Sequence, residues 1–227
     1  GAVGGNGIGI AGAAWNVKLM AIKVFQSNGT GNATTIAQGV TYATDNGATI
    51  QNMSFGSYAE SQTLKAALET AYASSVLVGA AGNNKFCIGP GRCPDKQPSA
   101  PMYPGSYTYV LGVEDVNGEY DNYDQDGPIF SGYSNYLNYE VKAAGSAIMS
   151  TVPNGGYRTL TGTSMATPLL KVLSTILPLL RFLILVRTNA GPFPGFTCKN
   201  SITRQMWLSM RKHNPLEMSA VVVAIFF

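Results

Sequence analysis

Apolar runs alternate with segments of helical periodicity along the first half of this 227-residue chain, and this alternation constrains its fold more than any other feature. Short apolar runs bounded by Gly, Asn and Ser are typical of buried strands, whereas apolar residues three and four apart are typical of helices. Their alternation predicts an α/β fold, a three-layer sandwich with a mostly parallel central sheet flanked by helices. The predicted strands are residues 17–25, 48–54, 76–82 and 108–114, and the predicted helices are a segment ending at Asn46-Gly47 and residues 60–74.

In a parallel sheet, functional groups gather in the loops that follow the carboxyl ends of the strands. Three segments qualify: residues 54–57, residues 82–84 and a tight turn that ends at Ser164. The turn lies in Gly-Thr-Ser-Met-Ala-Thr-Pro, residues 162–168, which opens a helix-compatible segment. A serine hydroxyl is a weak nucleophile until a base removes its proton and a third group orients that base. Ser164 is therefore a candidate nucleophile that needs partners from elsewhere in the chain.

The second of these loops carries a carboxamide. Residues 79–83, Gly-Ala-Ala-Gly-Asn, end a predicted strand at Asn83, whose amide N–H could donate to an oxygen that gains charge in a transition state. Taken alone, Gly-Asn after a strand is usually only a turn. Followed by the block at 162–168, however, it resembles the pattern of the subtilisin-like serine peptidases, the subtilases.

The resemblance extends over most of residues 1–168. Residues 6–12 resemble the loop after the family's catalytic-histidine helix, and residues 18–24 resemble the strand that follows it. Residues 52–56 resemble the edge strand on which substrate pairs. Residues 143–145 and 157–168 resemble the approach to the nucleophile.

This resemblance implies a secreted, monomeric serine endopeptidase that hydrolyses polypeptides through an acyl-enzyme and has no nucleic-acid partner. Ser164 would be the nucleophile, and the Asn83 side chain would stabilise the oxyanion together with the backbone N–H of Ser164. An extended substrate would pair with Ser54, Phe55 and Gly56. The substrate side chain before the scissile bond would lie against a pocket wall formed by Ala80, Ala81 and Gly82.

A structural calcium ion is a further expectation, although the chemistry itself requires no cofactor. The Asn6 side chain and the carbonyls of Gly4, Ile8 and Ile10 resemble part of a calcium loop found in many subtilases. Residues 7–12 also match the dinucleotide fingerprint G-x-G-x-x-G. That motif needs a strand before it and a helix after it, whereas here a strand is predicted to follow, so we reject nucleotide binding.

The chain also departs from the family. The catalytic aspartate and the His-Gly-Thr-His segment would lie before Gly1, and the sole histidine is His213, which we interpret as a solvated surface residue rather than a base. After Pro168 the family expects His-Val-Ala-Gly, but this chain continues with Leu-Leu-Lys-Val. We therefore predict a partial catalytic domain over residues 1–168 and a tail without family resemblance over 169–227.

Composition supports a boundary at this position. Residues 1–168 contain eight Lys and Arg against eleven Asp and Glu, whereas residues 169–227 contain seven against one. A reading-frame slip or a misassembled gene would produce such a change. Residues 169–186 are apolar, but they include Lys171 and Arg181 and are short for a membrane span, so we interpret them as a buried or misread segment. A membrane-tethered fragment is the alternative.

Three cysteines leave two interpretations open. Cys87 and Cys93 bracket a Gly-Pro-Gly turn that could bring them within disulfide range, which suits an exported protein, or they are two reduced thiols. Cys198 is unpaired in either case.

The sequence thus predicts a serine endopeptidase by family, with a chain that is inactive alone because the triad base is missing. The alternatives are a non-catalytic, peptide-binding pseudoenzyme that keeps the segment at 54–56, and an artefact of gene prediction.

Overall fold

The structure is a computed structural model that describes residues 1–12, 14–84, 101–116, 123–124, 127–128, 141–176 and 221–224. Within these ranges it contains three α-helices, ten strands and one short 3₁₀ turn. The helices are α1 (Ala33–Asp45), α2 (Gln62–Ala71) and α3 (Thr163–Ile176), and the 3₁₀ turn is Pro153–Gly155. The strands are β1 (Lys18–Ala21), β2 (Ile50–Met53), β3 (Val76–Ala80), β4 (Leu111–Val116), β5 (Tyr123–Asp124), β6 (Gly127–Pro128), β7 (Val141–Ala144), β8 (Ile148–Val152), β9 (Gly156–Leu160) and β10 (Val221–Ala224).

Six of the strands form one sheet in the order β1-β10-β2-β3-β4-β7. All neighbours in this sheet are parallel, whereas β5–β6 and β8–β9 form two separate antiparallel pairs. This confirms the predicted α/β fold with a mostly parallel central sheet. Four consecutive strands, β2, β3, β4 and β7, form the part of the sheet from which the site is built.

Helices cover the two faces of the sheet, because alternate residues of each strand point to opposite sides. α1 and α2 pack against each other and share one apolar cluster with Met53 and Leu77. α3 packs against β2, β3, β4 and β7, where Ala166 joins Ile50 and Val78 in a second cluster. Each cluster joins one helical layer to the sheet, which gives the three layers helix, sheet and helix.

Side-chain caps define where the first two helices begin. The Asn32 Oδ1 accepts a hydrogen bond from the Thr35 N–H at 2.8 Å, and the Ser61 Oγ accepts one from the Leu64 N–H at 3.3 Å. Such caps satisfy backbone N–H groups that have no partner within the helix. α1 ends at the predicted Asn46-Gly47 stop, where Gly47 has a φ of +76°.

All four predicted strands differ from the observed ones in their bounds: β2 and β3 are shorter by two or three residues, and β1 and β4 differ more. β1 ends at Ala21, and the chain then turns so that Val24 and Phe25 enter the apolar cluster beneath α1 instead of continuing the strand. β4 begins at Leu111 rather than residue 108, after a turn, and it extends to Val116. It includes Glu114 and Asp115, which are 1% and 0% exposed.

Several predictions concern the tail. α3 runs without interruption across Pro168 to Ile176, and β10 belongs to the same sheet as the N-terminal strands. The boundary at residue 168 and the reading-frame hypothesis both stay predictions. Among the described residues, no helix has the length and apolar character required to cross a membrane. The cysteines Cys87, Cys93 and Cys198 and the histidine His213 lie outside the described residues.

Candidate active site

Three predicted loops meet at the carboxyl edge of the sheet. β2 and β3 are parallel neighbours, so the residues that follow them, Ser54 and Asn83, emerge at the same edge. α3 begins at this edge with Thr163 and Ser164, because Ala166 holds its first turn against the sheet. Side-chain hydrogen bonds join α3 to both loops. The structure therefore brings together the two residues predicted to carry the chemistry.

Ser164 and Ser54 are joined by a reciprocal pair of hydrogen bonds. The Ser164 Oγ donates to the Ser54 carbonyl oxygen at 2.9 Å, and the Ser54 Oγ donates to the Ser164 carbonyl oxygen at 2.8 Å. The Asn52 Nδ2 donates to the Ser54 Oγ at 2.9 Å, which orients that hydroxyl. Both serines are partly buried. The predicted nucleophile is thus held against the loop predicted to pair with substrate.

Pro168 explains why Ser164 needs a partner from another loop. In an α-helix the carbonyl of Ser164 would accept a hydrogen bond from the N–H of residue 168, but proline has no N–H. The Ser54 hydroxyl donates to that carbonyl instead. Because Pro168 has no N–H, the Ser164 carbonyl is left without its helical donor. Its hydrogen bond with the Ser54 hydroxyl links α3 to the loop after β2.

The Asn83 side chain is fixed by Thr163, the residue before Ser164. Its Oδ1 accepts hydrogen bonds from the Thr163 N–H and the Thr163 Oγ, both at 3.0 Å. The Thr163 Oγ also accepts a hydrogen bond from the Gly82 N–H at 3.1 Å, and Thr163 is 0% exposed. These two bonds hold the amide oxygen toward Thr163, and the NH₂ group of Asn83 is the donor of this side chain.

The N-terminus of α3 adds a second source of donors. The N–H groups of the first helical turn have no acceptor within the helix, and the helix dipole is positive at this end. Ser164 is the second residue of α3, so its backbone N–H belongs to this turn. An oxygen that gains negative charge beside Ser164 would lie in a region of positive potential.

A buried carboxylate supports the turn from below, and sequence reasoning did not identify it. Asp115 at the end of β4 accepts hydrogen bonds from the Gly145 N–H and from the Ser146 Oγ, the latter at 3.0 Å. The Gly145 carbonyl in turn accepts a hydrogen bond from the Gly162 N–H at 2.9 Å. Gly162 is the residue whose carbonyl accepts the first N–H groups of α3. No local pattern predicts this chain of contacts, because its members are distant in sequence.

The predicted substrate-pairing segment follows β2 directly. Phe55 is buried and packs edge-on against Phe25, with 5.2 Å between ring centroids, whereas Gly56 is exposed. A Cβ on Gly56 would lie 2.6 Å from the Met102 Cε and 2.8 Å from the Tyr103 carbonyl oxygen. Glycine is therefore required by this close approach. Substrate pairing along Ser54–Gly56 stays a prediction.

The predicted pocket wall is buried along its whole length. Ala80 and Ala81 are 2% and 0% exposed, and Gly82 is also buried. The Ala81 N–H donates to the Val113 carbonyl oxygen at 3.0 Å, which holds the segment beside β4. A contact between these residues and a substrate side chain stays a prediction.

Calcium binding by the segment that contains Gly4, Asn6, Ile8 and Ile10 stays a prediction. The Asn6 Oδ1 accepts a hydrogen bond from the backbone N–H of Ile8 at 3.1 Å, and residues 1–12 contain no carboxylate. Calcium needs about six to eight oxygen ligands. Gly4, Asn6, Ile8 and Ile10 supply too few by themselves, so we derive no step that involves calcium. Among the described residues there is also no group of three or more His, Cys, Asp or Glu side chains placed to hold a metal ion.

The described residues include the candidate nucleophile and the candidate oxyanion donors but no histidine. The sole histidine, His213, lies outside the described ranges. The Ser164 hydroxyl donates to a neutral carbonyl, which does not remove its proton. The arrangement can orient a carbonyl substrate and stabilise an oxyanion, but proton transfer needs a further group.

Comparisons with known proteins identify the family. The model of the family described as "Subtilase family" matches residues 1–170. Alkaline elastase YaB of Bacillus sp. (strain YaB) is 38% identical over 165 residues, which cover 72% of this chain and 38% of that protein. Subtilisin DY of Bacillus licheniformis is 37% identical over 163 residues, covering 72% and 54% respectively. Thermitase of Thermoactinomyces vulgaris is 36% identical over 168 residues, covering 74% and 53%.

A solved structure has a similar fold. Sphericase superposes with a TM-score of 0.54 at 29% sequence identity, covering 67% of this chain and 51% of that one. The chain spans about half the length, or less, of the relatives that it matches.

Proposed function

This chain belongs to the subtilase family, and from that premise we propose that it carries the nucleophile and the oxyanion donors of a serine endopeptidase. Ser164 is the proposed nucleophile, and Asn83 is the proposed side-chain donor. The substrate is a polypeptide, and the proposed location is extracellular. The observation that supports the proposal best is the pair of links from the start of α3, one to Ser54 and one to Asn83.

In the proposed reaction the Ser164 Oγ adds to a peptide carbonyl while its proton passes to a base. The carbonyl oxygen becomes an oxyanion, to which the Asn83 NH₂ group and the Ser164 backbone N–H donate. The C–N bond then breaks, the amine leaves with a proton, and water hydrolyses the acyl-enzyme. The described residues supply every group in this sequence except the base.

Without its base, the chain alone should be nearly inactive. Loss of the triad histidine lowers turnover on the order of 10⁶-fold in subtilisin, a magnitude measured on that enzyme and not on this chain. The Ser164 Oγ donates its proton to the neutral Ser54 carbonyl, as expected for a serine that no base activates. We therefore expect slow acylation of Ser164 and no measurable peptide hydrolysis.

A fluorophosphonate probe tests this proposal, because it reacts with nucleophilic serines. The full chain is incubated with excess probe, and the modified serine is located by mass spectrometry. We expect slow labelling at Ser164, abolished by Ser164→Ala and reduced roughly 100-fold or more by Asn83→Ala, which removes one oxyanion donor. Ser57→Ala, an exposed serine outside the site, is the matched control and should leave the rate unchanged.

Two outcomes would contradict the proposal. Labelling spread over several serines, with no preference for Ser164, would show that the site does not activate this hydroxyl. Labelling at the rate of an intact subtilase such as subtilisin DY would show that the chain contains its own base.

A peptide-binding pseudoenzyme is the second candidate. It is favoured by the hydrogen bond that the Ser164 hydroxyl donates to the neutral Ser54 carbonyl. In this case a peptide would bind along Ser54–Gly56 and would be recovered uncleaved, and Ser164→Ala would leave its affinity unchanged.

A further inference from the structure

Asparagine followed by glycine is the dipeptide most prone to lose its side-chain amide in water, and this chain contains five such pairs. The backbone nitrogen of the glycine adds to the asparagine Cγ, ammonia leaves, and water opens the resulting cyclic imide to aspartate or isoaspartate. Glycine favours the ring closure because it has no Cβ and leaves the backbone free to rotate. The structure describes four of the pairs, which begin at Asn6, Asn28, Asn46 and Asn154, whereas Asn117 lies outside the described residues.

Hydrogen bonds hold the side-chain amides of the first three pairs. The Asn6 Oδ1 accepts a hydrogen bond from the Ile8 N–H at 3.1 Å. The Asn28 Oδ1 accepts hydrogen bonds from the Thr30 N–H at 3.0 Å and from the Thr30 Oγ at 2.7 Å. The Asn46 Nδ2 donates to a backbone carbonyl in the last turn of α1 at 2.9 Å. Ring closure must rotate the amide carbon onto the next backbone nitrogen, so each of these bonds opposes it.

Asn154 differs from the other three in its surroundings. It lies in the turn between β8 and β9 (the hairpin turn, residues 153–155), and both Asn154 and Gly155 are exposed. Its φ of +68° is a left-handed conformation that is uncommon for a residue other than glycine. Gly155 has a φ of +78°, and an ideal Cβ there would have no atom within 4 Å. Within the part of the chain that the structure describes, the Asn154 side chain makes no hydrogen bond.

The strands on either side restrain the hairpin turn only weakly. β8 and β9 form a two-stranded pair that is separate from the six-stranded sheet. The three central residues of each strand are exposed. A two-stranded hairpin with little buried surface opens locally at a low cost in free energy. The backbone at Asn154 and Gly155 can therefore reach the geometry for ring closure without unfolding the main sheet.

We propose that Asn154 is a modification site, at which this chain converts an asparagine into isoaspartate and aspartate faster than at the other three described Asn-Gly pairs. The Gly155 nitrogen forms a bond to the Asn154 Cγ, the bond from Cγ to the side-chain nitrogen breaks, and ammonia leaves with the proton of the Gly155 N–H. Water then adds to either carbonyl of the ring and opens it, so the reaction needs no oxidant and no enzyme.

The product places a carboxylate in the hairpin turn. Its isoaspartyl form is the substrate class of carboxyl methyltransferases that use S-adenosylmethionine as the methyl donor. The proposal does not depend on Ser164 chemistry.

Ageing of the unaltered full chain in mildly alkaline buffer tests the site. Trypsin then releases residues 143–158, which follow Lys142 and end at Arg158, as a peptide whose sole asparagine is Asn154. Mass spectrometry follows deamidation of this peptide and of those that contain the other three pairs, and an isoaspartyl methyltransferase with labelled S-adenosylmethionine measures isoaspartate. We expect Asn154 to react at least roughly tenfold faster than each of the other three, because their amides must first be released from their hydrogen bonds.

Two controls separate the effect of the turn from that of the dipeptide. In denaturing urea the four pairs lose their folded surroundings, so their rates should become similar. Asn154→Gly suits a left-handed φ, and it should remove the isoaspartate signal from residues 143–158 while leaving the other pairs unchanged. A rate at Asn154 equal to or below that of any other described pair in the folded chain would overturn the proposal, as would the same preference for Asn154 in urea.

Discussion

At the scale of single residues, two hydrogen bonds between Ser54 and Ser164 join the backbone at the start of α3 to the hydroxyl of the candidate nucleophile. Pro168 cannot donate to the Ser164 carbonyl, and the Ser54 hydroxyl takes that role at 2.8 Å. The return bond places the Ser164 hydroxyl on the Ser54 carbonyl at 2.9 Å. A proline four residues after the candidate nucleophile thus leaves its carbonyl to the Ser54 hydroxyl.

Ser54→Ala should lower the free energy of unfolding by about 1–3 kcal/mol, because the Ser164 carbonyl and the Asn52 Nδ2 both lose a partner. Urea unfolding measures this change. Adding Pro168→Ala restores an N–H four residues after Ser164, so the double variant should recover part of the loss. Ser57→Ala, an exposed serine on the same loop, is the matched control. Strictly additive effects of Ser54→Ala and Pro168→Ala would contradict this account.

At the scale of elements, the start of α3 rests on the turn after β7. Gly145 lies between Asp115 and Gly162: its N–H donates to the Asp115 carboxylate, and its carbonyl accepts a hydrogen bond from the Gly162 N–H. An ideal Cβ on Gly145 would be 2.5 Å from the Gly162 carbonyl oxygen and 2.8 Å from the Asp115 Oδ1. The turn leaves no room for a side chain.

Gly145→Ala should destabilise the protein by about 1–3 kcal/mol, the usual cost of overpacking, and should slow the labelling of Ser164 because Gly162 is displaced. Chemical unfolding and probe labelling measure the two effects. Gly156→Ala is the matched control, since a Cβ there meets only the Val152 Cγ2 at 3.2 Å. Equal effects at the two glycines would show that packing around Gly145 is not the cause.

Four tyrosines pack together near α2 and produce a predictable response to pH. Tyr107 and Tyr109 stack with 5.4 Å between ring centroids, and Tyr103 and Tyr72 contact them on either side. Burial, followed by the charge of Glu60, raises the pKa of Tyr107 from 10.0 to about 12. Burial and the charge of Glu69 also raise the pKa of Tyr109.

A raised pKa means that the folded state holds these phenol protons more tightly than the unfolded state does. Their contribution to stability is therefore complete below the ordinary pKa of 10.0 and is lost as the pH rises toward about 12. The double variant Tyr107→Phe/Tyr109→Phe should show a smaller loss over this interval. Urea unfolding at several alkaline pH values measures it, with Tyr42→Phe, an exposed tyrosine, as the control. A loss as large in the double variant as in the unaltered chain would contradict the assignment.

At the scale of the whole molecule, the sheet joins segments that sequence analysis treated separately. The α/β class, the parallel strands and the Asn46-Gly47 stop of α1 follow from local patterns, since each depends on residues close together in the chain. The extension of β4 beyond Glu114 was not predicted, because Asp115 is a second charged residue inside a buried strand. Their partners are supplied from β7 and the turn after it: Lys142 lies 3.6 Å from Glu114, and Gly145 and Ser146 donate to Asp115.

The sequence alone determined the family and the central α/β architecture, and it proposed Ser164 and Asn83 as site residues, because these depend on short motifs and their order. Only the tertiary structure decided how Ser54 and Thr163 orient those two residues, how Asp115 supports their turn, and which strand lies between β1 and β2. Each of these contacts joins residues far apart in the chain. Such contacts form wherever a backbone or buried polar group needs a partner, and a local pattern contains no information about which distant segment will supply it.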